Sequence, residues 1–236
     1  MVWLTNKKTG ARFNTDWLDK ERQIKANQTE QKQTENSKAG WETEKESKVI
    51  AQQLIDQAHK EEPQVMKDLN ASVNAGSGHL EGLKYRFKGE GSLSEKLVRK
   101  SLEKGISVQD YAKKVTDVLR FTNQSDAEHL ASDFHTVKAE LEKRGHKMIE
   151  CTNTFKEGES YKGINTLVKS PSGYTYELQF HTKQSLEIKE INHKLYEESR
   201  KVGTSKERKD ALNLEMARNA DSVIHPRNID SVKDIK

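Results

Sequence analysis

Apolar residues are sparse up to about residue 45 and then recur with two different periods. VWLTNKKTGARFNT, residues 2–15, sets a Gly-containing turn between two short apolar stretches, the form of a β-hairpin, and Trp3, Phe13 and Trp17 could cluster there. The next segment, DKERQIKANQTEQKQTENSKAG, holds almost nothing that a core could bury, and reads as a linker or as a solvated helix that packs on nothing. Val49, Ile50, Leu54 and Ile55 then recur at helical spacing. Pro63 pushes Glu62 out of helical geometry, which predicts a break there and a second helix, PQVMKDLNASVNA, opening on the proline and ending at the Gly-Ser-Gly of residues 76–78. A helix through Leu97 and Leu102 should stop at Gly105, Ser107 should cap SVQDYAKK, and VTDVLRFT reads as a strand or a helix-to-strand junction.

From Asp126 the longest helical pattern sets Leu130, Phe134, Val137 and Leu141 on one face, with Gly145 as its stop. HKMIECTNTF follows as a strand, and YKGINTLVKS and GYTYELQFHT, joined through Pro-Ser-Gly, should pair antiparallel. Residues 184–220 are helical with a weak break at Gly203, and the last residues read as frayed. Helices flanking a mixed, mostly antiparallel sheet make the fold class α+β. The expected organisation is an N-terminal hairpin-like arm and polar linker over 1–45, one domain over 46–222 and a tail over 223–236.

Composition narrows this picture only a little. With 32% hydrophobic and 33% charged residues the chain lies on the polar side of the globular range, as the arm requires. A net charge of +4 does not mark a nucleic-acid binder. Cys151 is the single cysteine, so an intramolecular disulfide is excluded, and its apolar surroundings suit a buried strand position better than a nucleophile. No apolar run approaches the ~20 residues that span a bilayer. The start also lacks the apolar core of a signal peptide, so a soluble, unprocessed cytoplasmic protein without a membrane partner is expected.

The candidate chemistry lies in three places. In YTYELQFHT, Tyr174, Tyr176, Leu178 and Phe180 share one face, while Thr175, Glu177, Gln179 and His181 share the other. Tyr161, Gly163 and Asn165 alternate likewise on the preceding segment, so one polar sheet face gathers a carboxylate, amides and a ring. That face could simply meet water. In LKYRFKGEGSLSEKLVRK, Arg86 and Lys88 can reach one side of an extended backbone, Gly89 and Gly91 permit close approach, and Ser92 precedes a basic helix bearing Lys96, Arg99 and Lys100. This is a polyphosphate cradle or a solvated helix face, and its spacing is not that of a P-loop. Asp117 in VTDVLRFT is either paired structurally with Arg120 or a ligand for Mg²⁺, which needs only one or two carboxylates beside substrate phosphates. Zinc-type ligand arrays are absent, and His193 with Glu197 does not make a site.

Four segments together resemble the RelA/SpoT-type nucleotide pyrophosphokinases, the synthetase fold of alarmone enzymes and related toxins. They are R-x-K-x-x-x-S-x-x-x-K at Arg86, Lys88, Ser92 and Lys96, D-x-x-R at Asp117 and Arg120, the Tyr-initiated YKGINT, and E-x-Q followed by a Thr at Glu177, Gln179 and Thr182. The resemblance extends from about Val49 to Arg200, including the helix NHKLYEESR. It implies a nucleotidyltransferase-like synthetase fold and transfer of the β,γ-pyrophosphate of ATP to a ribose 3′-hydroxyl. Arg86, Lys88, Ser92 and Lys96 would hold ATP, and Asp117 would bind Mg²⁺. Glu177 would hold metal or help deprotonate the attacking hydroxyl, Gln179 would support the acceptor side, and Tyr161 would stack on the acceptor base beside Asn165.

Asn165 stands where many family members have a His, which removes a cation beside the acceptor and leaves its identity open. GDP or GTP, an adenine nucleotide and the 3′ end of tRNA all remain as acceptors, giving ppGpp- or ppApp-type products or a modified tRNA. No adjacent His-Asp pair occurs, so nothing resembles the family's hydrolase half. A synthetase of this kind could be a toxin delivered into a target cytoplasm, with an antitoxin or immunity protein as partner. The competing readings are a non-catalytic nucleic-acid-binding or phage-type structural module, and an ordinary solvent-facing sheet.

Overall fold

In the computed structural model the described residues are 3–5, 12–14, 16–201 and 203–236, with side chains from residue 43 onward except at position 202. Strands β1 (Trp3–Thr5) and β2 (Arg12–Asn14) pair antiparallel, matching the predicted hairpin. The expected cluster of Trp3, Phe13 and Trp17 lies outside the described side chains. Helix α1 runs without interruption over Asp16–Val73, so the polar segment after the hairpin is helical.

The expected break at Glu62 does not occur, because Pro63 lies inside α1. Tertiary burial on both sides holds the helix together: Ala51, Ile55 and Ala58 before the proline and Val65, Leu69 and Val73 after it are all buried on one side. Val49, expected on that face, is 53% exposed, and the small Ala51 and Ala58 are fully buried instead. Pro63 itself is exposed, and an interior proline costs the helix a hydrogen bond and a steric clash. Pro63→Ala is therefore expected to raise stability by about 1–3 kcal/mol in chemical denaturation, without altering the fold.

After α1 come β3 (His79–Glu81), α2 (Glu90–Lys104), α3 (Val108–Ala112) and β4 (Arg120–Gln124). Then follow α4 (Leu130–Lys143), β5 (Lys147–Asn153), β6 (Ile164–Lys169), β7 (Thr175–His181), α5 (Lys183–Arg200) and α6 (Lys206–Asp221). Five strands form one sheet in the order β3-β4-β7-β6-β5, in which only β4 and β7 are parallel. The fold is thus α+β, with a mixed, mostly antiparallel sheet flanked by helices, and β6 and β7 pair antiparallel as the alternation predicts. The three-residue β3 was not anticipated, since HLE is too short to show a period.

One sheet face is the core. Tyr176, Leu178 and Phe180 of β7 are fully buried, and the Phe180 ring meets Phe134 of α4 edge-on at 5.1 Å. Leu130, Phe134, Val137 and Leu141 all face inward from α4, as their spacing requires, and Gly145 follows that helix with φ 82°. The Tyr176 hydroxyl reaches buried His146 Nδ1 at 3.1 Å, and His146 Nε2 lies 3.2 Å from Asp68 of α1, tying sheet to helix.

The C-terminal residues are docked and not frayed. Ile229 and Val232 are buried, and Asn153 Nδ2 donates to both of their carbonyls. Ile235 forms an antiparallel bridge with Cys151. The tail thereby covers part of the outer strand β5. Cys151 is buried as expected, and burial, followed by the nearby Asp234, pushes its thiol up to about 11, far from nucleophilic use.

Candidate active site

The second sheet face carries the predicted polar set. Arg120 lies opposite Glu177 across the parallel pair, and Thr122, Gln179 and Asn165 form the next row across β4, β7 and β6. All five side chains are partly exposed, in contrast to their buried neighbours in sequence. The same alternation that buries Tyr176 and Phe180 thus presents Glu177 and Gln179 on the open side.

The 86–88 segment is brought to this face by β-type pairing outside the named strands. Lys88 N donates to Val118 O, Arg120 N donates to Arg86 O, and Phe87 bridges Leu119 antiparallel. Helix α2 then starts after Gly89, whose φ of −63° suits any residue and whose Cβ position would meet nothing within 4 Å. That open space borders a cleft, not packed protein. Ser92 lies in the first turn of α2 and does not precede the helix, and it lines the cleft together with Lys88 and Lys96.

Asp117 is the hinge of this side. Its Oδ2 accepts from Lys88 Nζ at 2.9 Å and its Oδ1 from Lys96 Nζ at 2.7 Å, with all three side chains largely buried. Burial alone would raise its pKa, but hydrogen bonding to Lys96 and the charges of Lys88 and Lys96 outweigh that and hold the carboxyl below its ordinary value. The predicted structural partner Arg120 instead donates to Tyr85 O at 3.3 Å and lines the cleft. Arg86 is not among the residues lining it: its Nε donates to Glu62 of α1 at 2.7 Å, its Nη1 donates to Leu83 O, and its guanidinium lies over the Phe87 ring. Lys100, paired with Glu103, also stays outside, whereas Arg99, paired with the same Glu103, reaches the rim.

Across the cleft stands Tyr161. Its hydroxyl donates to Asn165 Oδ1 at 2.8 Å and lies 2.8 Å from His181 Nε2, so the ring is fixed at its polar end and its body lines the cleft. Burial, then the charge of Glu177, raises the phenol's pKa, which keeps it protonated. Burial and the charge of Lys189 push His181 down to about 3, so it is neutral at pH 7. His181 Nδ1 lies 2.9 Å from Ser185 Oγ, and Ser185 shares a capping box with Thr182 at the start of α5. Thr182 of the E-x-Q-x-x-T segment is therefore a cap residue, and the motif's other end fixes Tyr161 indirectly.

Glu177 Oε1 accepts from Gln179 Nε2, and Gln179 Oε1 accepts from Lys189 Nζ, so the amide spans a carboxylate and an ammonium. Lys189 was not anticipated. Neither was the wall it belongs to: Lys189, Asn192, His193, Tyr196 and Arg200 of α5 all line the cleft. Their spacing of three, one, three and four residues is one helical face, a signal present in the sequence but obscured by the equally polar opposite face. The cleft encloses about 730 Å³ between α2, β4, the 160–162 segment and α5. That volume suits nucleotide-sized ligands.

No protein-family model matches the chain, and no curated protein matches it. Among solved structures, the chain is similar to the type VI effector Tas1, crystallised in complex with its immunity protein, at 18% identity and a TM-score of 0.48 over 72% of this chain and 94% of that one. It is similar to small alarmone synthetase 1 from Bacillus subtilis at 17% identity and a TM-score of 0.48, over 74% and 86% of the two chains. A GTP pyrophosphokinase family protein from Streptococcus pneumoniae gives 16% identity and a TM-score of 0.42 over 70% and 82%.

Proposed function

We propose that the chain is a nucleotide pyrophosphokinase that transfers the β,γ-pyrophosphate of ATP to a ribose 3′-hydroxyl of a purine nucleotide. The observation that carries this is the two-sided cleft: Lys88, Lys96 and Arg120, drawn from three separate segments, converge beside Asp117 on one wall, while a fixed Tyr161 ring and Lys189 form the other. Such an arrangement suits a charged donor facing an aromatic-bound acceptor. A pyrophosphoryl transfer asks chiefly for charge neutralisation and in-line positioning, which these groups can supply without a covalent nucleophile.

In this mechanism Lys88 and Lys96 turn from Asp117 to the donor's phosphates, and Arg120 adds charge where the bridging oxygen becomes the leaving group on AMP. Tyr161 holds the acceptor base against its ring face, positioned from below by Asn165 and His181. In this reading Glu177, which is not itself among the cleft-lining residues but lies opposite Arg120 on the open sheet face, takes the proton of the 3′-hydroxyl, and Gln179 keeps it oriented. Among the described residues no group of three or more His, Cys, Asp and Glu side chains could hold a metal alone. Asp117 and Glu177 are the carboxylates that would hold Mg²⁺ as sparse ligands, with the remaining oxygens from phosphate and water; Asp117 would first have to release Lys88 and Lys96, and Glu177 Oε1 the Gln179 amide. When bound there, Mg²⁺ would neutralise phosphate charge.

The similarity to a toxin effector and to alarmone synthetases agrees with a delivered toxin bound by an immunity protein, or with a resident alarmone synthetase. No helix among the described residues is long and apolar enough to cross a membrane. The deciding experiment incubates the full chain with ATP, Mg²⁺ and, separately, GDP, GTP, AMP, ADP and tRNA, and measures AMP release (ATP consumption where AMP is the acceptor) and the product's mass. AMP formed together with a 3′-pyrophosphorylated purine nucleotide is expected. Absence of AMP with every acceptor, in a folded sample, rejects the activity and leaves the non-catalytic module.

A further inference from the structure

Asn192 lines the cleft from α5, yet its amide is spent within the protein. The residue is 7% exposed. Its Nδ2 donates to Ser160 O at 3.0 Å and to Met216 O at 2.9 Å, and its Oδ1 accepts from Asn219 Nδ2 of α6 at 2.9 Å. The opposite orientation would set an oxygen against two carbonyls and one NH₂ group against another, so these three contacts fix the amide. With both Nδ2 protons committed, Asn192 has none to donate to a ligand.

These contacts join two parts of the chain that bear on the aromatic wall. Ser160 precedes Tyr161 in the connection from β5 to β6, which closes at its base where Thr154 N donates to Gly163 O and Gly163 N donates to Thr154 Oγ1. Between these closures Glu157, Gly158 and Glu159 are exposed, and Gly158 takes φ 78°. Asn165 and His181 hold the Tyr161 ring at its hydroxyl, whereas Asn192 holds the chain at the carbonyl just before it. On the other side, α6 supplies one lining residue, Met216. It packs against α5 with Leu212, Met216 and Ala220 buried, and is tied to it by the Arg208–Glu198 ion pair.

We propose that Asn192, oriented by Asn219, is a positioning residue: it couples the seating of α6 to the backbone beside Tyr161 and so sets where the ring stands in the cleft. The coupling stands on the three hydrogen bonds, whereas its consequence for an acceptor rests on the pyrophosphokinase reading. If the amide only fastened α6 to α5, the bond to Ser160 O would be dispensable and the ring would stay where its hydroxyl holds it. Losing Asn192 deprives two carbonyls of a donor, and losing Asn219 frees the amide to turn away from them.

Fluorine NMR of the full chain labelled with 3-fluorotyrosine tests this, with the Tyr161 resonance identified by its loss in Tyr161→Phe. Asn192→Ala and Asn219→Ala should each shift or broaden that resonance, while the resonance of fully buried Tyr176 stays in place. In steady-state assays with ATP and either GDP or ADP, Asn219→Ala should raise the acceptor KM about 3–10-fold, the scale of one neutral hydrogen bond, with kcat and the ATP KM within about twofold of wild type. Asn219→Gln, which keeps a donor, should recover part of that loss. A Tyr161 resonance unmoved in both alanine variants would overturn the proposal, as would a matched rise in both KM values, the mark of a general loosening. Should Asn192→Ala not fold, Asn219→Ala, at a partly exposed position, decides alone. Failures of the two proposals are separable. A Tyr161 resonance that moves in a chain releasing no AMP retains the coupling and loses the activity; AMP release with an acceptor KM untouched by Asn219→Ala retains the activity and loses the coupling.

Discussion

Glu177→Gln should reduce AMP release from ATP by about 10²–10⁴-fold, the range associated with loss of a positioned general base. Glu177 stands mid-strand on the open face of β7, with its backbone N–H donating to Leu119 O and its neighbours Tyr176 and Leu178 fully buried. The side chain contributes nothing to the core, so an isosteric amide should leave the sheet unchanged and the stability within about 0.5 kcal/mol of wild type. The two properties must be measured on the same preparation: steady-state AMP release, and thermal unfolding followed by circular dichroism. Turnover within about tenfold of wild type would remove Glu177 from the chemistry. Loss of fold together with activity would reassign it to structure. Gln179→Ala should give a smaller loss, since it removes the orienting amide and leaves the carboxylate in place.

The site's sheet component was legible because strand alternation is a strict rule. Once YTYELQFHT and the Asn165 strand were aligned through a tight turn, Glu177, Gln179 and Asn165 had to share a face. Lys88, Lys96 and Asp117 were legible only as a spacing; their convergence depends on an irregular pairing of residues 86–88 with 118–120 that no local period announces. Arg86 carries the same motif, yet Glu62, 24 residues earlier in sequence, takes its guanidinium. Such a partner depends on the course of α1, which continues through Pro63 where local signals predict a break. Local rules for proline describe a helix with nothing packed on it, whereas α1 has buried residues on both sides of the proline. The docked C-terminus has a related origin. Ile229 and Val232 are ordinary isolated apolar residues until Asn153, 76 residues before Ile229, supplies hydrogen bonds to their carbonyls.

Asp117→Asn should separate donor binding from turnover. The Asp117 carboxylate and the donor phosphates compete for the same two ammoniums, those of Lys88 and Lys96. Removing the negative charge frees both lysines, so metal-free binding of a non-hydrolysable ATP analogue should tighten several-fold, while Mg²⁺-dependent AMP release falls by at least about a hundredfold for want of a metal ligand. Stability should change as well, because two partly buried ammoniums lose their shared counterion, a change of about 1–3 kcal/mol. The pH dependence fixes the sign. Asp117 has a folded-state pKa below the ordinary 3.8, so it binds fewer protons when folded than when unfolded. Its stabilising contribution is present above the unfolded value and is lost as pH falls through the folded one. Asp117→Asn should accordingly destabilise the chain at neutral pH and flatten the acid limb of its stability curve. Unchanged analogue affinity without metal, together with an unaltered acid limb, would show that Lys88 and Lys96 are not held by Asp117 in solution.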